Sequence, residues 1–468
     1  MFTRSDICRI LLNFGAVCDK MKKRGRICVN KKFIDRVLQD FEATLTNMEA
    51  LNSYFVETSK WIKSKKLKTE EKYKLAVVLK EKLDSIYDQP AESRIDFIRE
   101  LNEQQIGDVK FSDILDVSFD EKEEVVQYVF RNGYKKDEND PVIYRKILFS
   151  INNQEKIFIR SILSNVVIIF EQYFSKVYHT LVLNEPQKYF ENKTIRLADI
   201  FDQKFSEIIN NQLQKEIEDN MYDSLKTLSR IKEKSQIDVD RYIPIRKEFE
   251  EVYYRRNLCV HAEGIVNAVY LEKVDSKYTK NIKEGQELLC DEIYLSNAII
   301  TLNKIVASLH FEMLKYFEAD QNQYDYLANM GFDVLKEKNY VLAEYIYGIL
   351  RREKTFEFKT KAIYEVNFIN ALKLQGKNVE KLIKEFDVSI ATDEFKIAKE
   401  CLLDNHGVVY DMLTKTYPDS FNANHIREWP IFIRFRESEY YQKFIDEHKT
   451  DFDKVVFENE TMALSGDE

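Results

Sequence analysis

Glycine and proline are scarce in this chain, at 11 and 6 of 468 residues. So few breakers exclude a fold of many short strands and tight turns. They predict long helices joined by short loops. The six cysteines (8, 18, 28, 259, 290 and 401) form no C-x-x-C pair, which removes a zinc ribbon or a dithiol motif and reads as reduced thiols of a cytosolic protein. The six histidines (179, 261, 310, 406, 425 and 448) lie far apart and no H-E-x-x-H occurs, so no metal site is expected. There is no phosphate-cradling glycine loop and no G-x-S-x-G elbow, and no cofactor is expected. The carboxylate pairs Glu250-Glu251 and Asp238/Asp240 look like surface groups.

A basic balance is also missing. The formal net charge is −9, which argues against a protein that coats nucleic acid but leaves room for a local basic site. The most apolar run, "IRSILSNVVIIF" at 159–170, is too short for a membrane span. The apolar N-terminal run is broken by Asn13 and Gly15, so neither membrane insertion nor secretion is expected. The expected location is the cytoplasm.

What the chain does hold is aromatic and helical. It has 27 Tyr and 31 Phe, ample material for burial, and a length suited to several domains. Residues 1–150 predict a mainly helical regulatory region. A basic run at 20–32 (Lys22, Lys23, Arg24, Arg26) is read there as a solvated face, with phosphate contact as the alternative. Helical segments follow at 31–66 and 69–104, and the pattern breaks over 107–141, where "KKDENDP" suggests a loop. From about 155, Ile159, Leu163, Val166, Phe170, Phe174, Val177 and Leu181 recur at steps of three and four, giving one apolar face that stops before Pro186. Further helices are expected at 196–219, 221–235, 245–273 and 291–318, so that 151–318 forms a helical bundle. Over 320–455 the pairs Lys338-Asn339 and Lys377-Asn378 punctuate helical hairpins, with a third at 395–417. Such hairpins predict an α-solenoid of the tetratricopeptide type. The tail 456–468 is polar, acidic and expected to be disordered. The fold class is all-α.

The segment "FEEVYYRRNLCVHAEGIVNAVYL" at 249–271 carries the chemistry. On an ideal helix Val252, Cys259, Val266 and Tyr270 share a core stripe, and Cys259 is read as core. Glu250, Tyr254, Asn257, His261, Gly264 and Ala268 fall on the opposite face. Asn257 and His261 are an i,i+4 pair and can touch. Arg256 stands about 140° from His261 around the helix, so one straight helix does not aim both at one target.

"RRNLCVHAEGIVNAVYL" resembles the motif of the HEPN superfamily (higher eukaryotes and prokaryotes nucleotide-binding domains): an Arg, a polar residue, then a His after a short gap. Here these are Arg256, Asn257 and His261. The Gly after the His, the "VN" and Tyr270 are similar too, as are the segment 282–306 and the long helix with Glu171. The resemblance spans roughly 151–318. It implies a metal-independent endoribonuclease whose motifs meet across a homodimer, of the toxin or abortive-infection type that answers phage. The chemistry fits the residue types. Cleavage through the 2′-OH needs a base, an acid and a cation at the phosphorane. An imidazole can be base or acid, a guanidinium grips phosphate, and an amide can orient either. A two-fold dimer supplies two copies of His261 and lets Arg256 act across the interface.

The resemblance therefore marks Arg256, His261 and Asn257 as catalytic. Tyr254 can stack on a base or pack at the dimer seam. Arg255 reads as a solvated charge, with RNA contact as its alternative, and Glu171 as a possible further member of the site. The expected partners are RNA, a second copy of the chain, and a protein or phage trigger at the C-terminal helices. The alternative function is a non-catalytic HEPN-like interaction module that works through its helical repeats.

Overall fold

The computed structural model describes residues 26–106, 109–120, 122–123, 125–131, 141–190, 205–221, 223–388 and 392–453. The basic positions Lys22, Lys23 and Arg24, most of the expected loop at 135–141 and the acidic tail lie outside them. The fold is all-α. Helices of ten residues or more are α1 (Arg26–Tyr87), α2 (Arg94–Glu103), α3 (Pro141–Asn184), α4 (Phe205–Met221), α5 (Ser224–Ser235), α6 (Arg246–His261), α7 (Glu292–Tyr316), α8 (Asp325–Lys336), α9 (Tyr340–Leu350), α10 (Phe358–Leu374), α11 (Asp393–Leu402) and α12 (His406–Thr416).

Among the described residues strands occur only between 105 and 130. β1 (Gln105–Ile106) pairs with β2 (Val109–Lys110), and β3 (Leu115–Asp120) pairs antiparallel with β4 (Val125–Phe130). This is where the helical pattern was expected to break.

The chain divides into two compact units. One takes in residues up to Thr46, Val167–Glu287 and Ser296–Glu468; the other takes in Asn47–Val166 and Leu288–Leu295. Three long helices, α1, α3 and α7, contribute to both. α1 runs 62 residues without Gly or Pro, although two helices were expected there. Thr69 lies where a second helix was expected to begin. Its hydroxyl bonds back to the Lys65 carbonyl at 2.8 Å, a contact made inside a helix and not at a cap. The helix ends just before Pro90. In α3, all seven residues of the expected apolar face are buried, from Ile159 to Leu181. By length and composition α3 is the one helix among the described residues apolar enough to cross a membrane, and it carries core residues in both units.

In the second unit, Leu79, Ile86, Ile98, Leu101, Phe111, Leu115 and Val117 form a small core under the β3–β4 hairpin. In the first, helical hairpins appear where the Lys338-Asn339 pair and the segment 395–417 were read. Lys338 (φ +66°) leaves α8, and Asn339 caps α9 by accepting from the Leu342 amide at 3.3 Å. The short connections make these neighbours antiparallel. Gly331 lets α8 and α9 approach closely, because a Cβ there would meet Ile346 and Tyr347 at 3.0 Å. Buried Lys373 closes the end of α11: its ammonium donates to the Leu402 carbonyl at 2.6 Å and pairs with Asp404 at 2.6 Å. The hairpins join the bundle through Lys315–Glu353 (2.6 Å) and a Ser308–Tyr345 hydroxyl bond (2.6 Å).

Candidate functional site at the end of α6

Helix α6 begins where Pro244 breaks the preceding chain. The Asp240 carboxylate accepts from the amides of Ile245 (2.8 Å) and Arg246 (2.9 Å), satisfying donors that a helix start leaves open. Val252 and Cys259 are buried as expected, Phe249 is buried beside them, and its ring packs 4.8 Å from Phe170 of α3.

The helix was expected to continue to 273. It ends at His261. Glu263 (φ +51°) and Gly264 (φ +79°) turn the chain through the left-handed region, and the Leu258 carbonyl accepts from both Ala262 and Gly264 at 2.9 Å. Val266 then pairs with the 285–286 segment, accepting from Gly285 and donating to Gln286, each at 2.9 Å. Asn267 starts a short new helix, Ala268–Lys273, by accepting from the Tyr270 amide at 3.0 Å. Gly264 and Ala268 are therefore not part of an α6 face. Val266 and Tyr270 are still buried, so the apolar pattern survived a break in the helix.

Arg256 is held within the chain. Its Nη2 donates to Glu171 Oε1 of α3 at 2.7 Å, with side-chain exposures of 17% and 22%. Ser224 Oγ, at the start of α5, donates to the same carboxylate oxygen at 3.3 Å. The guanidinium lies 5.2 Å from the Tyr253 ring centre, a cation–π contact.

Arg255 is not a solvated charge. It pairs with Glu251 at 2.9 Å, with exposures of 11% and 6%, and the Tyr270 hydroxyl donates to the same carboxylate oxygen at 2.8 Å. Burial pushes the Tyr270 phenol well above its ordinary pKa, and the nearby Glu251 charge adds to the rise. Glu251 was read as a surface group. The structure buries it, because the break after His261 lets Tyr270 fold back over α6.

His261 is exposed on the last turn of α6, and Asn257 is half-buried one turn earlier. Asn257 hydrogen-bonds Tyr253, whose phenol is raised first by burial. Tyr254 is half-buried, edge-on to Tyr253 at 5.7 Å. The same end of α6 exposes apolar surface, with Val260, Ile265 and Val269 at 51%, 39% and 55%. The site thus has an exposed imidazole, an anchored guanidinium and an amide between them. Among the described residues no cluster of His, Cys, Asp or Glu could hold a metal ion. Sequence reasoning missed the Glu251–Arg255–Tyr270 network and the Ser224 contact; the i,i+4 spacing of Glu251 and Arg255 was the available signal.

The chain matches no protein-family model, no curated protein and no solved structure.

Proposed function

We propose that the protein is a metal-independent endoribonuclease of the HEPN type, acting in the cytoplasm as a homodimer. One observation supports this above the rest. α6 ends at His261 with the imidazole exposed, while the residues one to two turns before it are locked by ion pairs. Such a helix end can present a proton-transfer group in a fixed frame.

His261 exchanges the proton of the 2′-OH or of the leaving 5′-oxygen. Arg256 brings positive charge toward the phosphorane, using donors beyond the one given to Glu171. Asn257 orients the reacting groups, and Tyr254 offers a face for a base. Glu171 is a positioning residue that fixes the guanidinium; its own negative charge disfavours direct phosphate contact. Arg255 is spent on Glu251 and is not assigned to RNA. The exposed Val260, Ile265 and Val269 favour a second copy at this end, which would bring two imidazoles together. An antiphage or abortive-infection role, with a protein or phage trigger at the C-terminal hairpins, follows from the family resemblance.

A second reading has its own observation. Tyr326, Val341, Phe358 and Ile363 on the C-terminal hairpins are exposed apolar groups, which suits a solenoid-like protein-binding surface without catalysis. End analysis of the RNA products separates the two. Fragments ending in 2′,3′-cyclic phosphate, made by a species that sediments as a dimer, support the nuclease. A monomer that still cuts RNA contradicts the two-copy site, and inert protein under triggering conditions supports the interaction module.

A further inference from the structure

We propose that the exposed face of α1 between Tyr54 and Lys72 binds a single strand of nucleic acid. Tyr54, Thr58, Trp61, Lys65, Lys68 and Lys72 follow one another at alternating steps of four and three. On an α-helix this spacing places them along one line, within about 40° of Tyr54. Two aromatics therefore lead into three ammonium groups. Tyr54 and Trp61 are 56% and 59% exposed, large fractions for rings of this size. Lys65, Lys68 and Lys72 are exposed, and among the described residues no carboxylate pairs with them. Neighbouring lysines off this line are engaged, Lys63 with Glu292 and Lys66 with Glu155. Between 60 and 74 the segment holds seven lysines against two glutamates, in a chain that is acidic as a whole.

The combination selects its ligand. Ammonium groups in a row track phosphates, and rings on the same line stack on bases of any sequence. Lys65 already rests 5.0 Å from the centre of the Trp61 ring, which holds the indole beside positive charge. A helical protein partner would need an apolar seam, and three lysines occupy it here. A membrane would need an apolar helix face to insert. That face of α1, with Phe55 and Ile62, is buried inside the protein.

The proposal concerns binding and stands apart from cleavage at His261. Its test uses the full chain carrying His261→Ala, so that the probe stays intact. The probe is a labelled oligouridine of about 20 nucleotides, followed by anisotropy across a salt series. Lys65→Gln/Lys68→Gln/Lys72→Gln is expected to weaken binding at least about tenfold and to lower the salt slope by about 2, near 0.7 per lost phosphate contact. Trp61→Ala is expected to weaken it by about tenfold. Lys60→Gln/Lys74→Gln, equally basic positions off the line, should change it by less than about threefold. Unchanged melting temperatures confirm that each variant is folded. The proposal is overturned if the triple variant binds like its parent, or if the off-line pair loses as much. It is also overturned if the triple variant loses only binding to phosphatidylserine vesicles and keeps the oligouridine.

Discussion

Arg256 Nη2 donates to Glu171 Oε1 at 2.7 Å, and this bond ties the helix that ends at His261 to the long helix α3. A guanidinium free to sample rotamers would spend little time in a reactive geometry. Glu171→Ala is expected to lower kcat for RNA cleavage by about 100-fold with a smaller change in KM, because the group is misplaced while the binding surface remains. Glu171→Gln, which keeps an acceptor, should recover part of that loss. Equal losses in the two variants would mean that the carboxylate does more than hold Arg256.

The Glu251–Arg255–Tyr270 network is structural. Removing the carboxylate from a guanidinium only 11% exposed is expected to cost about 3–5 kcal/mol, so Glu251→Ala should melt far below wild type. Tyr270→Phe removes one hydrogen bond to a charged group and should cost about 1.5–3 kcal/mol. Chemical denaturation measures both. A near-wild-type Glu251→Ala would show that the pair is not holding the turn after His261.

Much of this region was legible from sequence, and its errors have physical causes. The start of α6 followed from Pro244, and the core face of α3 from its three-and-four spacing. The end of α6 did not, because Val266 and Tyr270 continue the apolar period past the break at Gly264. The cue was local: a Gly followed three residues later by Asn267, a residue suited to start a new helix. In α1 the opposite error arose, since polar Lys-Ser-Lys-Lys and Thr-Glu-Glu runs resemble a boundary, yet the helix runs through both and buries Thr69. Burial of Glu251 and Arg255 was illegible for a simpler reason. Charged residues at i,i+4 are usually solvated, and only the fold-back of Tyr270 covers these two.

Gly264 has φ +79°, where a side chain is strained. Gly264→Ala is expected to cost about 1–2 kcal/mol and to disturb the turn that leaves His261 at the helix end. The stability loss should come with reduced cleavage at a temperature where the variant is fully folded. A variant of unchanged stability would contradict the turn geometry.

His310 of α7 gives a pH signature. It is fully buried, stacked on Phe41 at 3.8 Å, and among the described residues neither ring nitrogen has a hydrogen-bond partner. Burial holds its pKa down to about 3. In the unfolded chain the ring takes a proton below about pH 6.5, while in the fold it stays neutral. Stability from this residue is therefore full above that pH and falls by about 1.4 kcal/mol per unit as pH drops toward 3. His310→Leu should flatten the acid side of the stability curve and raise stability at neutral pH by about 1–2 kcal/mol, because two unsatisfied nitrogens leave the core. An identical acid slope in the variant would contradict the buried neutral imidazole.

The most direct test of the ribonuclease account is RNA cleavage in EDTA by wild type and by His261→Ala, under triggering conditions that include infected-cell extract. The account predicts metal-independent cutting by wild type and a loss of about a hundredfold or more in His261→Ala. Equal cutting by both proteins would remove His261 from the site, and intact RNA in every condition would contradict the nuclease itself.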